Sequence, residues 1–188
     1  FKLIFSSQIA NLIMEWFAQK FMVIYKADSK KLLRRFSDPQ KNTVYIEKTT
    51  NEAAKLFGIS SNDIGYAIDG EESSAKLFSI FNKVENNKNK AILAEIFESF
   101  GTLRFINIFP IVIKALLTGG TLIVDEFDAS IHPMALMNII NIFHNSDINK
   151  NHAQLIFNTH NPIFLNSNLF RRDEIKFVER DDNTGKSV

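Results

Sequence analysis

Apolar and polar positions alternate with two different periods along this chain. Leu12, Ile13, Trp16, Phe17 and Phe21 recur at helical spacing, which predicts a core-facing helix opened by Ser6 or Ser7. Thr50-Asn51-Glu52 opens a short helix from Glu52 to Phe57, and Gly58 is placed to end it. Residues 64–68 and 76–81 read as short strands. Thr102 to Leu117 reads as a helix that Pro110 should kink or split at Phe109, and Thr118-Gly119-Gly120 ends it. Thr121-Leu122-Ile123-Val124 is apolar without alternation, as a strand buried on both faces requires. Pro133 suits a first helical turn, and the helix runs on through Leu136, Ile139, Ile140 and Phe143. Gln154 to Phe157 reads as a second buried strand, Asn161-Pro162 as another helical turn, and Glu174 to Glu179 as a third strand. Strand and helix in alternation predict an α/β fold with a mostly parallel sheet flanked by helices, preceded by a mixed α+β portion.

Composition narrows the picture. The 188 residues are 45% hydrophobic and 23% charged, too apolar for a disordered tail and long enough for a core. Zero cysteines exclude a disulfide framework, a thiolate metal site and a cysteine nucleophile. The net charge of +1 selects no partner class. Charge is uneven, however: residues 1–94 carry +4 and residues 95–188 carry −3, with the change beside the polar run Glu85 to Lys90. This divides the chain into a mixed portion, 1–94, read as an arm or helical insertion, and a second portion, 95–188. Lys30-Lys31 and Arg34-Arg35 beside Phe36 form a basic cluster able to touch nucleic-acid phosphates, although a solvated helix face is the plainer reading. The longest apolar stretch, 105–117, is interrupted by Asn107, Pro110 and Lys114 and is too short to cross a bilayer, so no membrane partner is expected. The N-terminus lacks the layout of a signal peptide, and a cytoplasmic location is expected. The chain begins at Phe1 and reads as a piece of a longer protein.

Three segments carry candidate chemistry. In Leu122 to Glu126, a buried strand ends in two adjacent carboxylates, where parallel sheets place their sites. Two acids there repel each other unless a cation relieves them, and Mg²⁺ is the natural choice beside phosphates. Asp125 would serve the metal, and Glu126 would orient or deprotonate a water. Phe157-Asn158-Thr159-His160 ends the next strand, and His160 could hydrogen-bond a phosphate oxygen or a positioned water. Glu98-Ser99-Phe100-Gly101-Thr102 precedes a helix: Ser99 offers a hydroxyl, Gly101 allows close backbone approach, and the helix N-terminus favours an anion.

In this order, the segments resemble the C-terminal half of an ABC-type ATPase head, closest to the RecF/SMC-like, AAA-type ATPases of bacterial anti-phage defence. Ser99 to Thr102 resembles their signature segment, Leu122 to Glu126 the Walker B strand, Asp128-Ala129-Ser130-Ile131-His132-Pro133 the D-loop, Thr159-His160-Asn161 the switch histidine, and Arg171 to Ile175 the segment that follows. Residues 95–188 are then the C-terminal ATPase half. The resemblance implies ATP and Mg²⁺ as cofactors, with Asp125 at the metal and Glu126 and His160 catalytic. Ser99, Gly101, Thr102 and Ser130 would be nucleotide-binding, Ser99 acting on a partner protomer's γ-phosphate. It also implies a homodimer closed around ATP and an accompanying effector protein. Two departures stand out. Phe100 occupies a position usually small or acidic, and GxxxxGK[ST] does not occur: Gly185-Lys186-Ser187 has Arg180 where that pattern needs glycine. A non-hydrolysing interaction scaffold of the same fold is one alternative, and a metal-dependent nuclease using Asp125, Glu126 and Asp128 is another.

Overall fold

Residues 105–117 hold the longest apolar stretch in the chain, and their side chains form much of the core. The computed structural model describes residues 6–25, 45–46, 48–59, 62–68, 75–81 and 90–179. The basic cluster at Lys30 to Phe36, the polar run from Glu85 to Asn89 and the tripeptide Gly185-Lys186-Ser187 lie outside them. The elements in order are α1 (Ser7–Lys20), β1 (Phe21–Ile24), β2 (Tyr45–Ile46), α2 (Lys48–Leu56), β3 (Asp63–Ile68), β4 (Ala75–Phe81), β5 (Lys90–Leu93), α3 (Ala94–Phe97), α4 (Phe100–Thr118), β6 (Thr121–Val124), α5 (Pro133–His144) and β7 (Gln154–Phe157). Single 3₁₀ turns follow at Pro162–Leu165 and Arg172–Glu174.

Two sheets result. A parallel sheet has the order β1-β6-β7, with Ile24 paired to Val124 and Val124 to Phe157. An antiparallel sheet has the order β2-β3-β4-β5. The parallel sheet flanked by helices is the α/β fold expected from the alternation of elements. Its first strand nevertheless comes from the other side of the 94/95 division, directly after α1. Phe21 had read as the end of the α1 stripe; it is instead the first residue of β1.

Helix α4 runs unbroken through Pro110. The proline removes one helical hydrogen bond, a cost of about 3 kcal/mol. Opposing it, Phe105, Ile108 and Val112 are fully buried, and each such side chain contributes about 1.5–3 kcal/mol. Packing therefore wins. The helix ends at Gly119, left-handed at φ 63°, and its last carbonyls at Leu116 and Leu117 accept from Asn151 Nδ2 at 3.0 and 3.1 Å. By length and composition α4 could cross a membrane, but its side chains fill the core. Phe57, just past α2, meets Phe105 and Phe109 edge-on, with ring centroids 5.8 and 6.0 Å away. This contact ties the antiparallel sheet to the core. Buried Asn51 of α2 completes the tie, donating to the Ile64 carbonyl and accepting from the Ile64 amide, both at 2.8 Å.

Three further expectations fail. The α1 stripe is not core-facing: Ser6 caps the helix as anticipated, but Leu12, Trp16 and Phe17 stay substantially exposed and only Ala10 is buried. Trp16, Phe17 and Phe21 cluster with one another instead. Strand β7 is not buried on both faces but lies at the edge of the sheet, with Ile156 half exposed. Residues 174–179 form no strand: Glu174 closes a 3₁₀ turn by accepting from the Arg171 amide at 2.7 Å, and Phe177 and Val178 lie in solvent.

Replacing Asn51 by alanine leaves a buried donor and a buried acceptor of β3 unpaired. We expect a stability loss of about 3 kcal/mol in denaturant titrations; a loss below about 0.5 kcal/mol would contradict this account of the tie between the two sheets.

Candidate functional site

The acid pair leaves the sheet at the end of its central strand. The Asp125 amide donates to the Ile24 carbonyl at 3.0 Å, which carries the ladder one residue past β6. Asp125 is half-buried and Glu126 exposed. Glu126 is left-handed, at φ 48°, a conformation that costs a non-glycine residue roughly 1 kcal/mol. Phe127 then turns inward, is fully buried and packs on Phe157 with centroids 5.0 Å apart.

Asn158, one residue beyond β7, stitches this turn to the neighbouring strand tip. Its Nδ2 donates to Asp125 Oδ1 at 2.7 Å, its Oδ1 accepts from the Glu126 amide at 2.6 Å, and its carbonyl accepts from the Phe127 amide at 3.2 Å. From the opposite side comes Arg104 of α4. Its Nη2 donates to the Glu126 carbonyl at 2.5 Å and lies 3.4 Å from the Asp125 carbonyl. Arg104 is only 6% exposed, and its Nε has no hydrogen-bond partner among the described residues. Burial pushes this guanidinium below its ordinary value, while Glu126, Asp128 and Asp125 pull it back up.

Because Val124 pairs in register with Phe157, the acid turn and the Asn158 to His160 segment emerge side by side. Thr159 Oγ1 accepts from the Asn161 amide at 3.0 Å, and Asn161 in turn caps the next 3₁₀ turn. His160 is exposed and makes no hydrogen bond to the described residues. Among those residues, no three His, Asp or Glu side chains gather as a metal cluster.

The Ser99 segment is tied into its own chain. Ser99 is exposed and caps α4: its Oγ accepts from the Thr102 amide at 3.1 Å and lies 2.9 Å from Thr102 Oγ1. Thr102 itself is buried, and its hydroxyl donates to the Ile59 carbonyl at 3.3 Å, so it faces the core rather than a ligand. Gly101 does permit close backbone approach, but what approaches is this chain's own Ser130 carbonyl, 2.2 Å from where a Cβ would stand. Ser130 is left-handed, at φ 66°, and exposed. The segment containing it runs into α5, where His132 Nδ1 accepts from the Met134 amide at 3.3 Å. The structure thus brings Asp125 and Glu126 beside the Asn158 to His160 tip, and Gly101 against Ser130.

Two residues of this arrangement had no assigned role. Arg104 is the only charged side chain between Glu98 and Lys114, a visible anomaly in an apolar helix. Asn158 sits inside the strand-end segment but carries no local signal of its double hydrogen bond. Gly101→Ala should raise helix propensity yet drive a methyl into the Ser130 carbonyl. We expect a net destabilisation of about 2 kcal/mol by thermal unfolding; a more stable variant would contradict the close contact.

Against known proteins, residues 15–166 match the profile of a family described as "AAA domain, putative AbiEii toxin, Type IV TA system". No curated protein matches. No solved structure matches either. AAA domains are nucleotide-binding ATPase domains of the P-loop NTPase class, consistent with the parallel sheet and its flanking helices. With the match spanning most of its length, the chain belongs to this AAA domain family.

Proposed function

We propose that the chain forms part of an ABC-type, RecF/SMC-like ATPase head that closes as a dimer around Mg²⁺-ATP. The observation that carries this reading is the in-register pairing of β6 with β7, which sets the acid pair next to the Asn158 to His160 tip. The donor set fits a magnesium-bound nucleotide. Asp125 Oδ1 is held by Asn158, while Oδ2 makes no hydrogen bond to the described residues and remains available at the strand tip. A single carboxylate of this kind suits Mg²⁺, which keeps several waters and shares phosphate oxygens. When bound, the ion would neutralise charge on the transferring phosphoryl group.

In this reading each residue has a separate task. Asp125 holds the cation directly or through water. Glu126 accepts a proton from the attacking water, its carboxylate standing free at the exposed turn. His160 donates to a phosphate oxygen from the neighbouring tip. Ser99 and Ser130, both exposed, face a partner protomer's nucleotide, while Gly101 and Thr102 shape that surface from inside. The phosphate-cradling loop and its lysine would come from sequence outside these residues. The family's description as a toxin of type IV toxin–antitoxin systems supports a cytoplasmic role in abortive infection or anti-phage defence. There, nucleotide-driven closure would be read by an effector protein, and nucleic acid is the partner to test first.

In protein able to turn over ATP, Glu126→Gln should slow hydrolysis by about 10²–10³-fold, retain nucleotide binding and accumulate an ATP-bound dimer. Wild-type turnover in that variant would refute the role given to Glu126. The isolated 188-residue chain should bind ATP weakly in calorimetry; submicromolar affinity would contradict the need for an outside phosphate loop.

A further inference from the structure

Glu126 is the strained residue of the acid turn, and two side chains from different elements grip its opposite ends. Its amide donates to Asn158 Oδ1 at 2.6 Å, and its carbonyl accepts from Arg104 Nη2 at 2.5 Å. We propose that Arg104 and Asn158 form a clamp that fixes the Glu126 backbone, and with it the direction in which its side chain leaves the turn, making both of them positioning residues. The consequence for turnover rests on the ATPase reading; the clamp itself does not.

The case for function over packing lies in what Arg104 gives up. Its helical neighbours Phe105, Ile106, Ile108 and Phe109 are buried and apolar, and an apolar side chain at 104 would fill the same space without desolvating a charge. The guanidinium is buried with its Nε unpartnered, and no carboxylate among the described residues lies within ion-pair distance. Its short-range contacts are the Asp125 and Glu126 carbonyls, both in the acid turn. At longer range it sets a fixed positive charge behind two adjacent carboxylates, which reduces their mutual repulsion. A left-handed non-glycine residue persists only where its surroundings over-determine it, and such residues gather at functional sites. Here the surroundings include one guanidinium and one carboxamide, beside the Ala129 amide, which donates to the same Glu126 carbonyl at 3.0 Å. The same carboxamide also donates to Asp125 Oδ1 at 2.7 Å, so the clamp sets both acids relative to each other.

Amide exchange in the 188-residue chain without nucleotide tests the clamp. Arg104→Met should speed exchange at Glu126 and Phe127 about tenfold, with the β6 amides of Leu122 to Val124 changed less than about twofold. Arg104→Lys, which can still donate to a carbonyl, should recover most of the protection. Unchanged exchange at Glu126, or an equal rise throughout β6, would overturn the clamp and leave Arg104 with a merely structural role. Should Arg104→Met fail to fold, Asn158→Ala carries the test, because it must free the Glu126 amide by about tenfold; no change there overturns the proposal. In protein that turns over ATP, the folded variants should lower kcat while KM for ATP stays within about twofold. Loosened exchange with unaltered kcat would refute the positioning role. Unaltered turnover in Glu126→Gln would instead refute the ATPase reading and leave the clamp standing.

Discussion

A buried guanidinium held against the backbone of two acidic residues is the constraint on which this structure turns. Arg104 reaches from the core helix to the carbonyls of Asp125 and Glu126, and in doing so joins the helix to the end of the central strand. Desolvating a cation is expensive, and carbonyl oxygens compensate it only in part. The three nearby acids favour its charged form. Their like charges are in turn easier to keep together with a cation behind them. The arrangement is therefore mutual: the three acids oppose the cost of burying Arg104, and Arg104 bonds the carbonyls of the acid turn.

The long helix gives this interaction its setting. Its first turn packs Gly101 against the Ser130 carbonyl, its second presents Arg104, and its middle receives Phe57 from the side of the antiparallel sheet. At its far end, Asn151 caps the last carbonyls. One element thus fixes the Ser99 cap, the Ser130 segment and the carboxylate turn in a common frame. A proline at position 110 is tolerated because side chains on both sides of it, Phe105 and Ile108 before and Val112 after, are fully buried.

Much of this was legible in the sequence where the signal is local. An unalternating apolar run marked β6, a proline at a first turn marked α5, and the two carboxylates do fall at the end of that strand. What was not legible depends on contacts between distant segments. Apolar residues at helical spacing look alike whether or not a partner covers them, so α1 gave no sign that Leu12, Trp16 and Phe17 stay exposed. Residues 154–157 carry an apolar run like that of β6, but edge position is decided by which strands lie beside them. Phe21 falls on a helical stripe by spacing, but pairing with β6 makes it the first residue of a strand. Gly101 and Thr102 fit a ligand-binding pattern, yet the same residue types serve a helix packed against its own chain. Arg104 was visible as an anomaly in an apolar helix, and only the fold supplies its partners.

The central claim is that the tips of β6 and β7 converge on a cation-held triphosphate. Its most direct measurement is the anomalous scattering of Mn²⁺ in crystals of protein carrying a slowly hydrolysed ATP analogue. The account predicts the ion about 2 Å from an Asp125 carboxylate oxygen, or one water beyond it, with Glu126 and His160 both turned toward the terminal phosphate. Manganese bound away from Asp125, or Glu126 and His160 directed to opposite faces of the sheet, would contradict it.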